Sequence, residues 1–192
     1  MNKTEIKQST ISVSAQIGDL TEKKFAILSE ALKDYIIRSN GNIQAFNFTT
    51  KQNYSISITQ NAVSLVILDN IYNKNEIKTI LYIILDKLMI DNQVFAMLDF
   101  QAQVETEDSF AESTNIYKEK YGDSFDNLIG VGYRYLLKGD NFNDDLKKEP
   151  LISNEKFFYY QLTRNFNVVK ISLDYIIEDF ENIINNVGLY FK

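Results

Sequence analysis

The chain has 192 residues, and 45% of them are apolar, which is enough to build the buried core of one large domain or two small ones. It contains neither cysteine nor histidine, so zinc sites built on these ligands, thiol nucleophiles and Ser-His-Asp triads are excluded. The net charge of −6 arises in the C-terminal half, because residues 1–98 hold 10 basic and 9 acidic side chains whereas residues 99–192 hold 10 and 17.

The first third of the chain predicts a strand, a helix and a three-stranded meander. Residues 10–17 alternate apolar and polar side chains, which is typical of a half-buried strand. From Thr21, a predicted N-cap, apolar residues recur every three to four positions as far as Ile36, and Gly41 follows shortly after the end of this helix. Antiparallel strands separated by polar turns are predicted over residues 42–50, 54–60 and 62–70.

Residues 73–89 predict a second amphipathic helix, in which Asn73 is the N-cap and Glu76 occupies the capping-box position. The buried stripe predicted for this helix consists of Ile77, Ile80, Leu81, Ile84, Leu85 and Leu88. A long strand over residues 94–106 follows. The chain therefore begins in the order β-α-β-β-β-α-β, which is related to a ferredoxin-like arrangement with one strand added.

The C-terminal half predicts further strands around two polar segments. Residues 105–127 are strongly polar, and we expect either a soft domain boundary or an inserted helix there. Residues 139–150 are acidic, rich in asparagine and contain the single proline, which predicts an exposed loop. Strands are predicted over residues 130–139, 156–166 and 167–175, and a helix from Ile176 to Val187 follows them.

Together these elements predict one α+β domain over residues 1–192, with about eight strands and four helices. We expect a mainly antiparallel sheet with the helices packed on one face. The N-terminal residues lack the uninterrupted apolar segment of a signal peptide, and the most apolar run contains Asp86 and Lys87. These features predict a cytoplasmic protein that does not span a membrane.

The stretch GVGYRYLLKG, residues 130–139, contains two closely spaced glycines, but the third glycine of a dinucleotide fingerprint and the GK[ST] ending of a P-loop are missing. We interpret it as a strand with a glycine bulge. One face would carry Val131, Tyr133, Tyr135 and Leu137, and the other Gly132, Arg134, Leu136 and Lys138. This strand and the order of the preceding elements resemble bacterial α+β families whose strands end in a Gly-Leu-Arg-Tyr motif, a resemblance of pattern that implies no function.

The candidate binding residues are Tyr133, Arg134, Tyr135, Tyr159, Tyr160 and Arg164. The planar fork of Arg134 suits a carboxylate or a phosphate, although an ion pair with an acidic side chain of the same half is the favoured alternative. The aromatic run over residues 157–160 would place rings on both faces of a strand. Those rings would belong either to an interface or to the ordinary core.

Two acidic groups have the oxygen ligands that hard cations prefer, but neither shows the spacing of a calcium-binding loop. They consist of Glu105, Glu107, Asp108 and Glu112, and of Asp140, Asp144, Asp145 and Glu149. We predict that both are solvated surface. No catalytic residue, metal ligand or cofactor site is predicted.

These features predict a non-catalytic protein-interaction module that binds or occludes another macromolecule, and one form of this hypothesis is a phage or mobile-element inhibitor of a host system. We expect a protein partner, and a second copy of the chain is a further candidate. The acidic balance and the presence of only three arginines argue against direct nucleic-acid binding. The alternative is a protein that binds an anionic small molecule, or a hydrolytic enzyme, using Arg134, Arg164 and carboxylates in an enclosed pocket.

Overall fold

A computed structural model describes residues 3–69, 71–122, 125, 127–167 and 169–191. Within these residues it contains ten strands and five helices, which confirms the predicted α+β class but exceeds the expected number of elements. The strands are β1 (Thr4–Ser14), β2 (Ile36–Gly41), β3 (Phe46–Thr50), β4 (Ser55–Ile58), β5 (Ala62–Leu68), β6 (Gln93–Glu105), β7 (Tyr133–Lys138), β8 (Asn143–Pro150), β9 (Phe157–Asn165) and β10 (Ile171–Ser172). The helices are α1 (Glu22–Ala31), α2 (Lys74–Lys87), α3 (Ser109–Tyr121), α4 (Leu173–Asn185) and α5 (Val187–Tyr190).

Nine of the described strands form one antiparallel path in the order β2-β3-β4-β5-β1-β6-β9-β8-β7. The short β10 pairs with the start of β6 beside this path. The two longest strands, β1 and β6, pair with each other near the centre. Among the described strands β2 and β7 each pair with one neighbour of this path, so they are its two edges. The expected relation to a ferredoxin-like arrangement is not confirmed by this order.

The helices cover one face of the sheet. Phe25 of α1 packs 5.3 Å from Phe46 of β3, and Phe180 of α4 stacks on Phe100 of β6 at 5.4 Å, between ring centroids. The apolar stripe of α2 belongs to the same buried cluster. The alternate strand residues point away from this cluster and remain partly exposed. We call their surface the open face; its members include Thr10, Ser12, Ser64, Asp99, Gln101, Gln103, Arg134, Asp145, Lys147, Tyr159, Gln161 and Thr163.

The first helix is shorter than predicted. Its N-cap is confirmed, because Thr21 Oγ1 accepts a hydrogen bond from the backbone N–H of Lys24 at 3.3 Å, but α1 ends at Ala31. Residues Ile36–Gly41 form the edge strand β2, which pairs with β3. Helical spacing continues through Tyr35 and Ile36 in the sequence, and the backbone pairing offered by β3 overrides it.

The N-cap of α2 is also confirmed, but its capping box is only half formed. Asn73 Oδ1 accepts from the backbone N–H of Glu76 at 3.2 Å. The backbone N–H of Asn73 donates to Tyr54 Oη at 2.7 Å instead of to the Glu76 side chain. Tyr54, the buried residue just before β4, thus replaces the second capping interaction. Its hydrogen bond connects the start of α2 to the meander.

The largest error concerns residues 139–150, which are not an exposed loop. They form the tight turn after β7 and the strand β8, which lies between β7 and β9. Asp144, Asp145, Lys147 and Lys148 each contact a partner on a neighbouring strand or helix, so the polarity of this segment does not indicate an exposed loop. Pro150 ends the strand, where a missing N–H costs no central ladder bond.

Two other segments differ from expectation. β7 begins at Tyr133, so Gly130 and Gly132 precede it and form no bulge within it. Among the described residues of the segment 167–175, only Ile171–Ser172 form a strand, because Ser172 Oγ caps α4 by accepting from the backbone N–H of Tyr175 at 3.2 Å. The polar segment over residues 105–127 contains the helix α3. A single domain remains a prediction, and none of the described helices is long and apolar enough to cross a membrane.

Candidate interaction surface

The open face of β7 and β8 carries a two-bond ion pair. Arg134 donates from Nε and Nη2 to the two carboxylate oxygens of Asp145, at 2.9 and 2.6 Å. The hydrogen bond from Arg134 lowers the pKa of the Asp145 carboxyl below its usual range. The Arg134 side chain is 62% exposed, so solvent screens this pair and its contribution to stability is small. The pair matches the alternative that the sequence favoured for Arg134.

Next to this pair, hydrogen bonds continue across β8, β9 and β6. Lys147 Nζ donates to Gln161 Oε1 at 3.3 Å, and Gln161 Nε2 donates to Asp99 Oδ2 at 2.8 Å. Thr163 Oγ1 donates to the same Asp99 oxygen at 2.7 Å. These side chains meet because the register places Gln161 beside Lys147 and Thr163 beside Asp99. The result is a part-buried polar network whose side chains hold one another in place.

Arg164, which the sequence predicts as a binding residue, lies on the opposite face of β9. It is 3% exposed and donates from Nε and Nη2 to the two oxygens of Asp144 at 2.8 and 2.7 Å. Its Nη1 donates to both oxygens of Asp179 on α4, at 2.9 Å each. Its Cζ lies 3.7 Å from the ring centroid of Phe142. Arg164 therefore joins β9, β8 and α4 in the core.

The charge of Arg164 is stabilised in this setting. Burial acts to lower the pKa of the guanidinium, but the hydrogen bonds to Asp144 and Asp179 outweigh burial and raise the pKa above its usual value. Sequence reasoning missed both carboxylates as partners. The alternation of Asp144 and Asp145 within one strand was the available signal, because consecutive side chains of a strand point to opposite faces.

The aromatic run of β9 divides between the two faces. Phe158 and Tyr160 lie in the core, and Lys148 Nζ is 4.2 Å from the ring centroid of Phe158. Burial raises the pKa of the Tyr160 phenol. Tyr159 lies on the open face, where burial among its neighbours raises the pKa of its phenol, with a further contribution from the negative charge of Asp99. Of the two tyrosines in this run, Tyr159 is accessible from the open face and Tyr160 is buried.

Strand β7, at one edge of the sheet, carries exposed apolar side chains. Tyr133 is fixed, because its Oη donates to the backbone carbonyl of Ser113 on α3 at 3.0 Å. Beyond it, Tyr135, Leu136 and Leu137 are 48%, 74% and 53% exposed. Tyr133 and Tyr135 thus belong to the helix-covered side of an edge strand, while Arg134 belongs to the open face.

The six predicted binding residues do not form one cluster. Arg134 and Tyr159 share the open face, Tyr133 and Tyr135 lie at the β7 edge, and Tyr160 and Arg164 are core residues. The two arginines point to opposite sides of the sheet. A depression of about 380 Å³ beside β7 and β8 is lined by neither of them; its lining is Leu136, Leu137, Lys138, Asn143, Asp144, Asp145 and Asn165.

Four of the eight acidic residues considered as cation ligands are engaged by other groups of the chain. Asp144 and Asp145 bind the arginines, and Asp108 Oδ1 caps α3 by accepting from the backbone N–H of Ala111 at 2.9 Å. Glu112 accepts from Thr106 Oγ1 at 2.8 Å. Within the part of the chain that the structure describes, no group of three or more acidic side chains is placed to hold a metal ion.

Comparison with known proteins finds no protein-family model that matches this chain. No curated protein matches it either. A functional inference therefore has to start from the surfaces of the fold.

Proposed function

We propose that this chain is a non-catalytic interaction module that binds another protein with the open face of its sheet. One observation carries the proposal: the helices pack on one face, while the described residues leave the other face of a nine-strand path without a covering layer. A sheet of this size presents a broad and nearly flat surface. Such a surface suits contact with a folded partner better than enclosure of a small ligand.

The chemistry of the open face supports a protein partner. Its centre consists largely of neutral hydrogen-bonding side chains, including the hydrogen-bonded pair Ser12 and Ser64, whose hydroxyl oxygens are 3.0 Å apart. Gln101 and Gln103 of β6 continue this surface toward Tyr159. Adaptable polar side chains around an aromatic anchor are characteristic of protein-binding surfaces.

The charges of the open face support the same conclusion. Arg134 is paired with Asp145, and Lys147 is hydrogen bonded to Gln161, which in turn donates to Asp99, so the basic side chains described on this face alternate with carboxylates and form no continuous basic stripe for a phosphate backbone. A nearly neutral, preorganised surface binds through shape and hydrogen bonding. An inhibitor that covers a working surface of its partner is the form of interaction that such a broad face suits.

The ligand-binding and enzymatic alternative gains no comparable support. Arg134 and Arg164 each already donate bidentately to a carboxylate, so an anionic ligand would have to displace Asp145, or Asp144 and Asp179. Displacement from the Arg164 site would leave carboxylates unpaired in the core. We therefore put forward the interaction module alone.

The test is affinity capture from cells of the source organism with quantitative mass spectrometry, comparing matched variants. Tyr159→Ser removes the aromatic side chain of the open face, and Gln101→Arg places a long charged side chain at its centre. Tyr175→Ser, on the exposed side of α4, is the control. We expect a partner that the wild type and Tyr175→Ser capture equally, and that both open-face variants lose by about tenfold or more.

Thermal melting of all four proteins checks that the variants remain folded. Titration calorimetry with the purified partner should then reproduce the order of affinities. Equal capture by folded open-face and control variants, or selective loss in Tyr175→Ser, would refute binding through the open face.

A further inference from the structure

The outer edge of β7 pairs with no other strand among the described residues. The backbone N–H of Gly139 donates to the carbonyl of Phe142 at 2.9 Å, which closes the β7–β8 hairpin. Hydrogen bonds alternate along an antiparallel pair, so Tyr133, Tyr135 and Leu137 direct their backbone groups toward β8. Arg134, Leu136 and Lys138 direct theirs away from it. We call these three outward-facing residues the β7 edge.

The two edges of the sheet differ in their protection. The β2–β3 pairing is irregular between Ile36 and Arg38, and bulges of this kind discourage the addition of a strand. The β7–β8 pairing runs without a register shift from Tyr133 to Lys138. A regular edge strand with exposed leucines is the type of edge that recruits another strand.

We propose that the β7 edge pairs antiparallel with the β7 edge of a second copy of this chain. The two-fold axis passes midway between the two copies of Tyr135. This proposal does not rest on the proposed function, since it uses an edge of the sheet and not the open face. The two sheets would become one continuous sheet. Both open faces would then lie on the same side.

The side chains of β7 favour this register. With Tyr135 opposite Tyr135 of the second copy, Arg134 lies opposite Leu136 and Tyr133 lies opposite Leu137. Apolar and aromatic side chains then contact each other, and like charges are not directly opposed. A shift that placed Leu136 opposite itself would bring Arg134 against Lys138, which is unfavourable on neighbouring strands.

The charge of Lys138 finds a complement in the proposed register. Lys138 lies opposite Gly132 of the second copy, whose missing side chain leaves room for the Glu149 side chain. Glu149 borders this space, because a Cβ atom built on Gly132 would lie 3.0 Å from Glu149 Cγ. Lys138 of one copy can therefore extend across Gly132 to the Glu149 carboxylate of the other. The two-fold axis repeats this pair, so both lysines are compensated.

The first test is sedimentation equilibrium over a range of concentrations. An interface built on one short strand is small, so we expect a reversible dimer with micromolar affinity. Leu136→Pro removes an N–H that faces outward and leaves the bonds to β8 in place, so it should weaken the dimer about tenfold or more. A wild type that stays monomeric up to millimolar concentration, or a folded Leu136→Pro variant that dimerises as the wild type does, would overturn the proposal.

The second test reads the register, and the absence of native cysteine makes it simple. Tyr135 and its counterpart form a non-hydrogen-bonded pair, with Cα atoms about 4.5 Å apart, which lies within disulfide range. The two Leu137 residues are offset by four residues, or about 13 Å at the rise of a strand. Mild oxidation should therefore link Tyr135→Cys into a dimer and leave the control Leu137→Cys unlinked. Equal linking of both variants, or of neither, would refute this register.

A charge exchange provides a check that needs no backbone change. Lys138→Glu and Glu149→Lys should each weaken the dimer, and the double variant should restore it, because the exchange preserves an opposite-charge pair across the interface. Additive weakening in the double variant would contradict the contact between Lys138 and Glu149.

Discussion

Arg164 and Asp144 face each other in register across β9 and β8 and are joined by two hydrogen bonds of 2.8 and 2.7 Å. Their side chains are only 4% and 6% exposed. Two charges in such a site are tolerated because the donors of the guanidinium find carboxylate oxygens on Asp144 and Asp179. Through Arg164, the strands β8 and β9 are both connected to α4.

Removal of Arg164 should be severely destabilising. Arg164→Ala leaves Asp144 and Asp179 buried without their partner, and loss of one member of a buried charge cluster costs about 3–5 kcal/mol. The matched control is Arg134→Ala, whose exposed pair with Asp145 is screened by water, so its stability should equal that of the wild type within error. Urea denaturation monitored by circular dichroism measures both. Equal losses for the two variants would contradict the distinction between core and surface arginine.

Gly139 should tolerate no side chain. A Cβ atom at this position would lie 2.6 Å from Phe142 Cζ, and Phe142 packs against the Arg164 guanidinium. Gly139→Ala should therefore cost about 1–3 kcal/mol through displacement of the ring. Gly188→Ala is the control, because apart from its own helix and chain neighbours no described atom lies within 4 Å of its added Cβ. A thermal melt in which Gly139→Ala is as stable as Gly188→Ala would show that the hairpin adjusts freely.

The helix α2 should be sensitive along its predicted stripe. Leu81 and Ile84 are fully buried, so Leu81→Ala and Ile84→Ala should each cost about 2–5 kcal/mol, because each leaves a cavity in the core. Thr79→Ala, at an exposed position of the same helix, should change stability little. The free energies of unfolding come from urea titrations. Urea midpoints close to that of the wild type for both core variants would mean that the core repacks around the substitutions.

Acid should weaken the start of β1. Hydrogen bonds from Lys3 and Lys7 lower the pKa of Glu5 to about 2. An unfolded glutamate titrates near pH 4.3, so the stabilisation by the Glu5 charge is present above about pH 4 and is lost as the pH falls through about 2. Melting temperatures between pH 7 and 2 should therefore fall less for Glu5→Gln than for the wild type. High salt should reduce this difference because the group is exposed to solvent.

Much of the fold was predictable because its signals are local. The strict alternation of residues 54–60 and the apolar stripe of α2 each arise within one segment, and periodicity reports which side of that segment meets a core. The caps at Thr21 and Asn73 are equally local, since each side chain bonds a backbone N–H three residues away. The α+β class and the single helical layer follow from these elements.

The candidate surface was less predictable because its residues depend on partners far along the chain. β8 reads as a polar loop until β7 and β9 are placed on either side of it, and β2 reads as the end of a helix until β3 pairs with it. Arginine is usually a surface residue. The burial of Arg164 is possible because of Asp144, 20 positions earlier, and Asp179, 15 positions later. Strand order and burial are set by the pairing of distant segments, and the free energy of that pairing overrides the preference of a short polar or helical pattern.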